Sequence, residues 1–259
     1  MRLHAITFFN VLTFLSCGDL SEKTAGKRIV LHTEIRSSTS FTTEVGWSVT
    51  LRTVTVAIGS LYYFDGAPVV ARRPRSLLRE WFSIREAWAH PGHYQVGNAV
   101  GQMLSATATQ TTAMPLSLAD GEGVTGTYRS ARWVFGAPPT GPAASALGSA
   151  VVVLEGSAAK GAETRTFKLV AEPSDTTNAA GKAEVEGCVF EEVDVTAEGT
   201  VSVALKPNIW VNQIDFSELP TGSTTSPVDR STRAFREFSR GLKNGAAIVF
   251  AFTKSPTRK

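Results

Sequence analysis

Two histidines on a short turn form the most suggestive group in this sequence. His90 and His93 are separated only by Pro91 and Gly92. Proline fixes one backbone dihedral and glycine tolerates a positive one, so the turn can bring both imidazoles to one side. Neutral imidazole binds copper, zinc, iron and nickel. The spacing therefore predicts a transition-metal site. The other interpretation is that both rings hydrogen-bond to backbone groups and stabilise a loop.

A third imidazole is available on the first predicted strand. Residues 28–36 alternate apolar and polar side chains, which is the period of a strand and places His32 and Glu34 on one face. The chain has four histidines. We therefore expect His90 and His93, with His32 as the third ligand, to bind a copper ion, or zinc as second choice.

A resemblance at this cluster supports copper. The Trp88-x-His90 pair, in a β-rich chain predicted to be exported, resembles the copper site of the MbnP-like group of exported proteins of the methanotroph type. In that group a tryptophan two positions before a ligand histidine can be oxidised to kynurenine and take part in the site. The resemblance implies that Trp88 holds the modified position and that His90 is the first imidazole, with His93 or His32 as the second. It covers only these few residues and the general β-rich layout.

The N-terminus predicts export and a lipid anchor. Residues 1–17 place one arginine before a short apolar run that ends in Ser16-Cys17, ahead of polar residues. This arrangement resembles the bacterial lipoprotein signal, in which Cys17 is lipidated, although Phe14 stands where leucine is usual. We expect a signal peptide over 1–17, a polar tether over 18–27, and a lipid-anchored protein in the periplasm or at the cell surface. The other interpretation is a buried N-terminal strand or helix with an incidental cysteine.

The two cysteines, Cys17 and Cys188, are too few for a disulfide framework or a four-thiolate zinc site. If Cys17 is acylated, Cys188 is left as a small buried hydrophobe. Without a lipid, the two could pair in an oxidising compartment.

Composition excludes several classes of protein. The chain has 259 residues, of which 42% are hydrophobic, as in an ordinary globular protein. Its 26 basic and 23 acidic residues form no long blocks, which argues against a dedicated nucleic-acid binder. No apolar run reaches the roughly 20 residues of a membrane-spanning helix. We find no sequence motif of a nucleotide-binding, hydrolytic or metalloprotease site, and expect no enzymatic activity.

The elements that must position these side chains are mostly strands. Turn residues separate runs rich in β-branched and aromatic side chains, a pattern typical of an antiparallel β-sandwich or open barrel. The predicted strands are residues 28–36, 47–64 (one strand, or two broken near Gly59), 125–135, 150–156, 164–171, 183–190, 200–205 and 246–252. Apolar spacings of three and four predict helices over 76–88 and 231–243. We expect one domain over 28–254, followed by a basic tail over 255–259.

Several other residues have a structural explanation. We expect Met103 and Met114 to fill the core rather than to bind Cu(I). Residues with large aromatic side chains are expected to pack across the sheets: Trp47, Tyr62, Tyr63, Trp133 and Trp210. The neighbouring carboxylates Glu191, Glu192 and Asp194 are expected on a solvated face.

Two functions remain open. The first is a membrane-anchored protein that captures or hands over a metal ion. The second is a surface-anchored module without metal, which binds a protein or glycan through its loops and uses the His-Pro-Gly-His turn only as a structural corner.

Overall fold

A computed structural model describes residues 26–68, 97–221 and 227–255. In these ranges the chain is mainly β, as expected, with thirteen strands and three short α-helices. The strands are β1 (Arg28–Ser37), β2 (Ser40–Thr42), β3 (Ser48–Phe64), β4 (Ala99–Met103), β5 (Thr107–Thr111), β6 (Leu116–Ser117), β7 (Gly121–Val124), β8 (Gly126–Phe135), β9 (Val152–Lys160), β10 (Glu163–Ala171), β11 (Glu184–Val195), β12 (Gly199–Leu205) and β13 (Ile248–Lys254). The helices are α1 (Ala144–Leu147), α2 (Pro207–Val211) and α3 (Arg233–Leu242). The helix predicted over 76–88 lies outside the described residues.

The strands close into a circuit. Pairing runs from β3 through β4, β7, β1, β12, β13, β11 and β8, and β8 pairs again with β3. Most of these pairs are antiparallel, but β1–β12 and β11–β13 are parallel. The sheet is therefore mixed, with two parallel pairs in a fold that is otherwise the mainly β, largely antiparallel architecture expected. Alternation of apolar and polar residues predicts a strand but contains no information on the direction of its neighbours.

The longest strand, β3, joins the circuit to a flanking pair of strands. Its first half pairs with β9, which in turn pairs with β10, and its second half pairs with β4 and β8. The break predicted near Gly59 is an irregularity within one strand, because the register with β8 shifts between Ile58 and Leu61. A Cβ atom at Gly59 would lie 3.0 Å from the carbonyl oxygen of Val134, so the glycine permits this close approach.

Four aromatic rings fill the interior of the circuit, each from a different strand. Tyr63, Tyr128, Phe190 and Phe250 are buried, and the centroids of neighbouring rings lie 5.4–6.1 Å apart. Most of these contacts are tilted or edge-to-face, which aromatic rings favour. The rings connect β3, β8, β11 and β13 across the core.

The Tyr128 hydroxyl reaches across the core to the opposite strands. Its oxygen lies 2.8 Å from the carbonyl oxygen of Val100 on β4 and 2.9 Å from that of Val124 on β7. Gly101 and Gly123 leave room for this hydroxyl, because a Cβ atom at either position would crowd it. Burial raises the pKa of Tyr128 to about 12, so the phenol remains a neutral donor.

Helix α3 confirms the helix predicted over 231–243. Thr232 caps its N-terminus, because the side chain accepts a hydrogen bond from the amide of Phe235 at 3.2 Å. Phe235 and Phe238 are buried, and the main neighbour of α3 is helix α2. Gly241 makes this possible, because a side chain there would collide with the backbone of Trp210. None of the helices in the described ranges is long and apolar enough to cross a membrane.

We predict that Tyr128→Phe lowers the free energy of unfolding by about 1–2 kcal/mol, because the ring stays while two part-buried carbonyl groups, those of Val100 and Val124, lose their shared donor. Urea denaturation monitored by tryptophan fluorescence measures this. The matched control is Tyr62→Phe, on a half-buried ring of the same circuit. Equal losses in the two variants would contradict a specific role for the Tyr128 hydroxyl.

Candidate functional site

Of the residues predicted to bind a metal, His32 lies in the described part of the chain. Three other site residues and the lipidation position lie outside it: Trp88, His90, His93 and Cys17. The expectations for those four residues therefore stay predictions.

His32 lies on the outer face of β1. Odd-numbered residues of this strand, such as Leu31, point into the core, and His32 is exposed. Its Nδ1 lies 2.8 Å from Oδ1 of Asp120, and about half of each side chain is accessible to solvent. With the proton on Nδ1 to satisfy this carboxylate, Nε2 carries the lone pair. Among the described residues Nε2 has no partner, so it is free to act as a ligand.

Strand register brings Asp120 to His32. β7 begins at Gly121, which lies opposite Leu31 on β1, so Asp120 comes next to His32. The two residues are 88 positions apart in sequence. Sequence analysis missed Asp120, because it precedes a four-residue strand that contains two glycines and shows no clear periodicity.

Glu34 shares the outer face of β1 with His32, as expected, and is half-buried. Its carboxylate, however, accepts a hydrogen bond from Oγ of Ser202 on β12, at 2.5 Å. β12 and β7 flank β1 on opposite sides. The structure therefore joins His32 to Asp120 on one side of the strand and Glu34 to Ser202 on the other.

A shallow groove of about 500 Å³ lies beside His32 on the same outer face. It crosses β4, β7 and β1, and Val30, two positions before His32, lines it. Its polar rim includes Gln102, whose side-chain amide donates to Glu122 at 2.9 Å. Ala99, the first residue of β4, also lines the groove. The groove therefore lies where the chain that follows His90 and His93 re-enters the described fold.

The described ranges contain no group of three His, Cys, Asp or Glu side chains placed to hold a metal ion. His32 and Asp120 provide at most one imidazole and one carboxylate. A complete metal site at this position would need further ligands.

The two methionines have different environments. Met103 is fully buried, which confirms that it fills the core. The same prediction is wrong for Met114, whose exposed fraction is 74%. Met114 lies in the turn between β5 and β6, where Thr112 hydrogen-bonds its backbone. A turn residue has no facing strand to cover its side chain.

The expectations for the large aromatic residues and for the neighbouring carboxylates are confirmed. Four of the aromatic residues expected to pack are buried, namely Trp47, Tyr63, Trp133 and Trp210. Tyr62 is half-buried and its ring lies against the guanidinium of Arg132, 5.3 Å from the ring centroid. The neighbouring carboxylates Glu191, Glu192 and Asp194 are exposed.

Cys188 is a free, fully buried thiol. Its Sγ lies 3.4 Å from the carbonyl oxygen of Val185. Burial raises the pKa of Cys188 to about 12, because an apolar environment disfavours the thiolate. In the folded chain this thiol is therefore neither a ready nucleophile nor a ready metal ligand.

No family model, curated protein or solved structure matched this chain. The candidate site consequently depends on the geometry of its own residues.

We predict that Cys188 reacts with a thiol reagent such as dithionitrobenzoate only after unfolding. Residues 18–259 contain this one cysteine and every residue of the described fold, so they are the test material. The thiol should stay unlabelled at pH 8 in buffer and give one equivalent in denaturant. Because the folded pKa is raised, this group stabilises the fold fully below the unfolded pKa of roughly 8.5, and that contribution declines as pH rises towards 12. Rapid labelling of the native chain would contradict the burial.

Proposed function

We propose that this chain is an exported, lipid-anchored protein that captures or hands over a transition-metal ion, with copper the first choice and zinc the second. The proposed ligands are His90, His93 and His32, with Trp88 beside them. The observation that carries the proposal is the exposed His32 imidazole, whose Nδ1 is hydrogen-bonded to Asp120 and whose Nε2 faces no described partner.

The His32–Asp120 pair has the arrangement that metal-binding histidines use. A carboxylate that accepts from one ring nitrogen fixes the tautomer and raises the basicity of the other nitrogen. It also holds the ring orientation, which lowers the entropy lost when a metal binds. This pair is also exposed, so an ion can approach it from solvent.

Imidazole ligands make metal binding by this chain sensitive to pH. Imidazole binds metals in its neutral form, so acidification through pH of roughly 6.5 should weaken binding and promote release.

The second candidate, a module that binds a partner without metal, is favoured by one observation. Three large apolar side chains in and around short strands and turns are exposed, namely Leu104, Met114 and Leu116. Metal dependence separates the two functions. The module's stability should be unchanged by a chelator, whereas a metal protein should lose thermal stability when the ion is removed.

We predict that residues 18–259 bind Cu or Zn measurably in isothermal titration calorimetry, and that His90→Ala/His93→Ala abolishes this binding because two of three imidazoles are gone. His32→Ala should weaken it through loss of the third. A melting temperature close to that of the parent chain will show that each variant is folded. Full affinity in the double variant would overturn the proposal.

We further predict that Asp120→Asn lowers metal affinity by about 10- to 100-fold, the usual effect of losing a partner that orients a ligand. The matched control is Glu192→Gln, which removes another exposed carboxylate, one that pairs with Arg129 at 2.9 Å on β8. Equal weakening in both variants would indicate an effect of net charge alone and would argue against orientation of His32 by Asp120.

A further inference from the structure

Helix α3 presents a line of positive charge to solvent. Arg233, Arg236 and Arg240 are exposed, and so is Lys243, which caps the C-terminus. Their spacings of three, four and three residues place them on one face of the helix, over about 15 Å. We call these four residues the basic stripe. The opposite face of α3 is buried, so the stripe is the surface that this helix offers to a partner.

Helix stability does not explain the first half of the stripe. The N-terminal turn of a helix has a positive partial charge, which disfavours cations there. Arg233 is nevertheless the first residue of α3, Arg236 is in the same turn, and that turn contains no acidic residue. Positive charge has accumulated where the helix itself gains nothing from it.

The structure also leaves much of this charge uncompensated. Arg240 pairs with Glu237 at 2.8 Å, and Arg236 donates to the backbone oxygen of Ser231 at 2.6 Å. Arg233 and Lys243 have no acidic partner among the described residues. The stripe can therefore accept an external anion at both of its ends without breaking an existing ion pair.

We propose that the basic stripe docks this domain on an anionic phospholipid surface. Guanidinium groups form paired hydrogen bonds with phosphate oxygens, and three of the four cations are arginines. A membrane presents phosphates across a plane, so a straight row of cations needs no fixed phosphate spacing. The apolar side chains Phe235, Phe238 and Leu242 are used in the core, so docking is electrostatic and involves no insertion of the helix.

A nucleic acid fits this surface less well. The exposed face of α3 contains no aromatic ring to stack on bases and no Asn or Gln to read adenine. Its arginines could contact guanine edges, so binding to a DNA duplex is one outcome of the test below. The proposal depends on the basic stripe alone and is independent of the metal site.

The test measures co-sedimentation of unlipidated residues 18–259 with phosphatidylcholine vesicles, with and without phosphatidylglycerol. We expect binding only to the anionic vesicles, weakened by added salt because the contact is electrostatic. Arg233→Gln/Lys243→Gln should bind about 30-fold more weakly, since each cation near a charged membrane contributes several-fold to affinity. The matched control, Arg36→Gln/Lys254→Gln, removes one exposed Arg and one exposed Lys from β1 and β13.

Retained binding in the control, together with loss in the stripe variant and unchanged melting temperatures, would support the proposal. Equal losses in the two variants would indicate only net charge and overturn it. Absence of binding to anionic vesicles would also overturn it, as would tighter binding to a DNA duplex at the same salt concentration.

Discussion

The register of β1 is the constraint on which the candidate site depends. This strand pairs with β7 on one side and with β12 on the other, so Ile29, Leu31 and Ile35 are held in the core and His32 on the surface. A slip of one residue would reverse every side chain. It would expose three large aliphatic side chains, at roughly 1.5–3 kcal/mol each, and bury an imidazole. The free ligand nitrogen of His32 is thus a consequence of hydrophobic packing.

Where the apolar periodicity is strong, the sequence was sufficient to predict the secondary structure. The alternation over residues 28–36 predicted both β1 and the shared face of His32 and Glu34, and the spacing over 231–243 predicted α3. The short strands β4 to β7 were missed because each has only two to five residues, several of them glycine or polar. Their stability comes from neighbours distant in sequence, which local patterns do not reveal. Asp120 was missed for the same reason.

Two of the strands that were not predicted, β4 and β7, form part of the outer surface beside His32. Gly101 on β4 and Gly123 on β7 look like weak strand residues, since glycine packs no side chain. The structure shows their purpose, because the Tyr128 hydroxyl occupies the space that their side chains would fill. The same two strands form the floor of the groove beside His32. Glycine, which made β4 and β7 hard to predict from the sequence, thus allows Tyr128 to hydrogen-bond to both strands next to the candidate site.

The net charge of the chain gives no indication of the basic stripe on α3. A chain with 26 basic and 23 acidic residues gives no reason to expect a cationic face. Once Phe235, Phe238 and Leu242 are recognised as the buried positions of α3, the remaining positions at the same spacing are those of the basic stripe. Buried and basic positions thus follow from a single periodicity, of which only the apolar spacing was used to predict the helix. The electrostatic surface of a helix depends on which of its faces is exposed. The buried face must therefore be known before the charged residues of the helix can be interpreted.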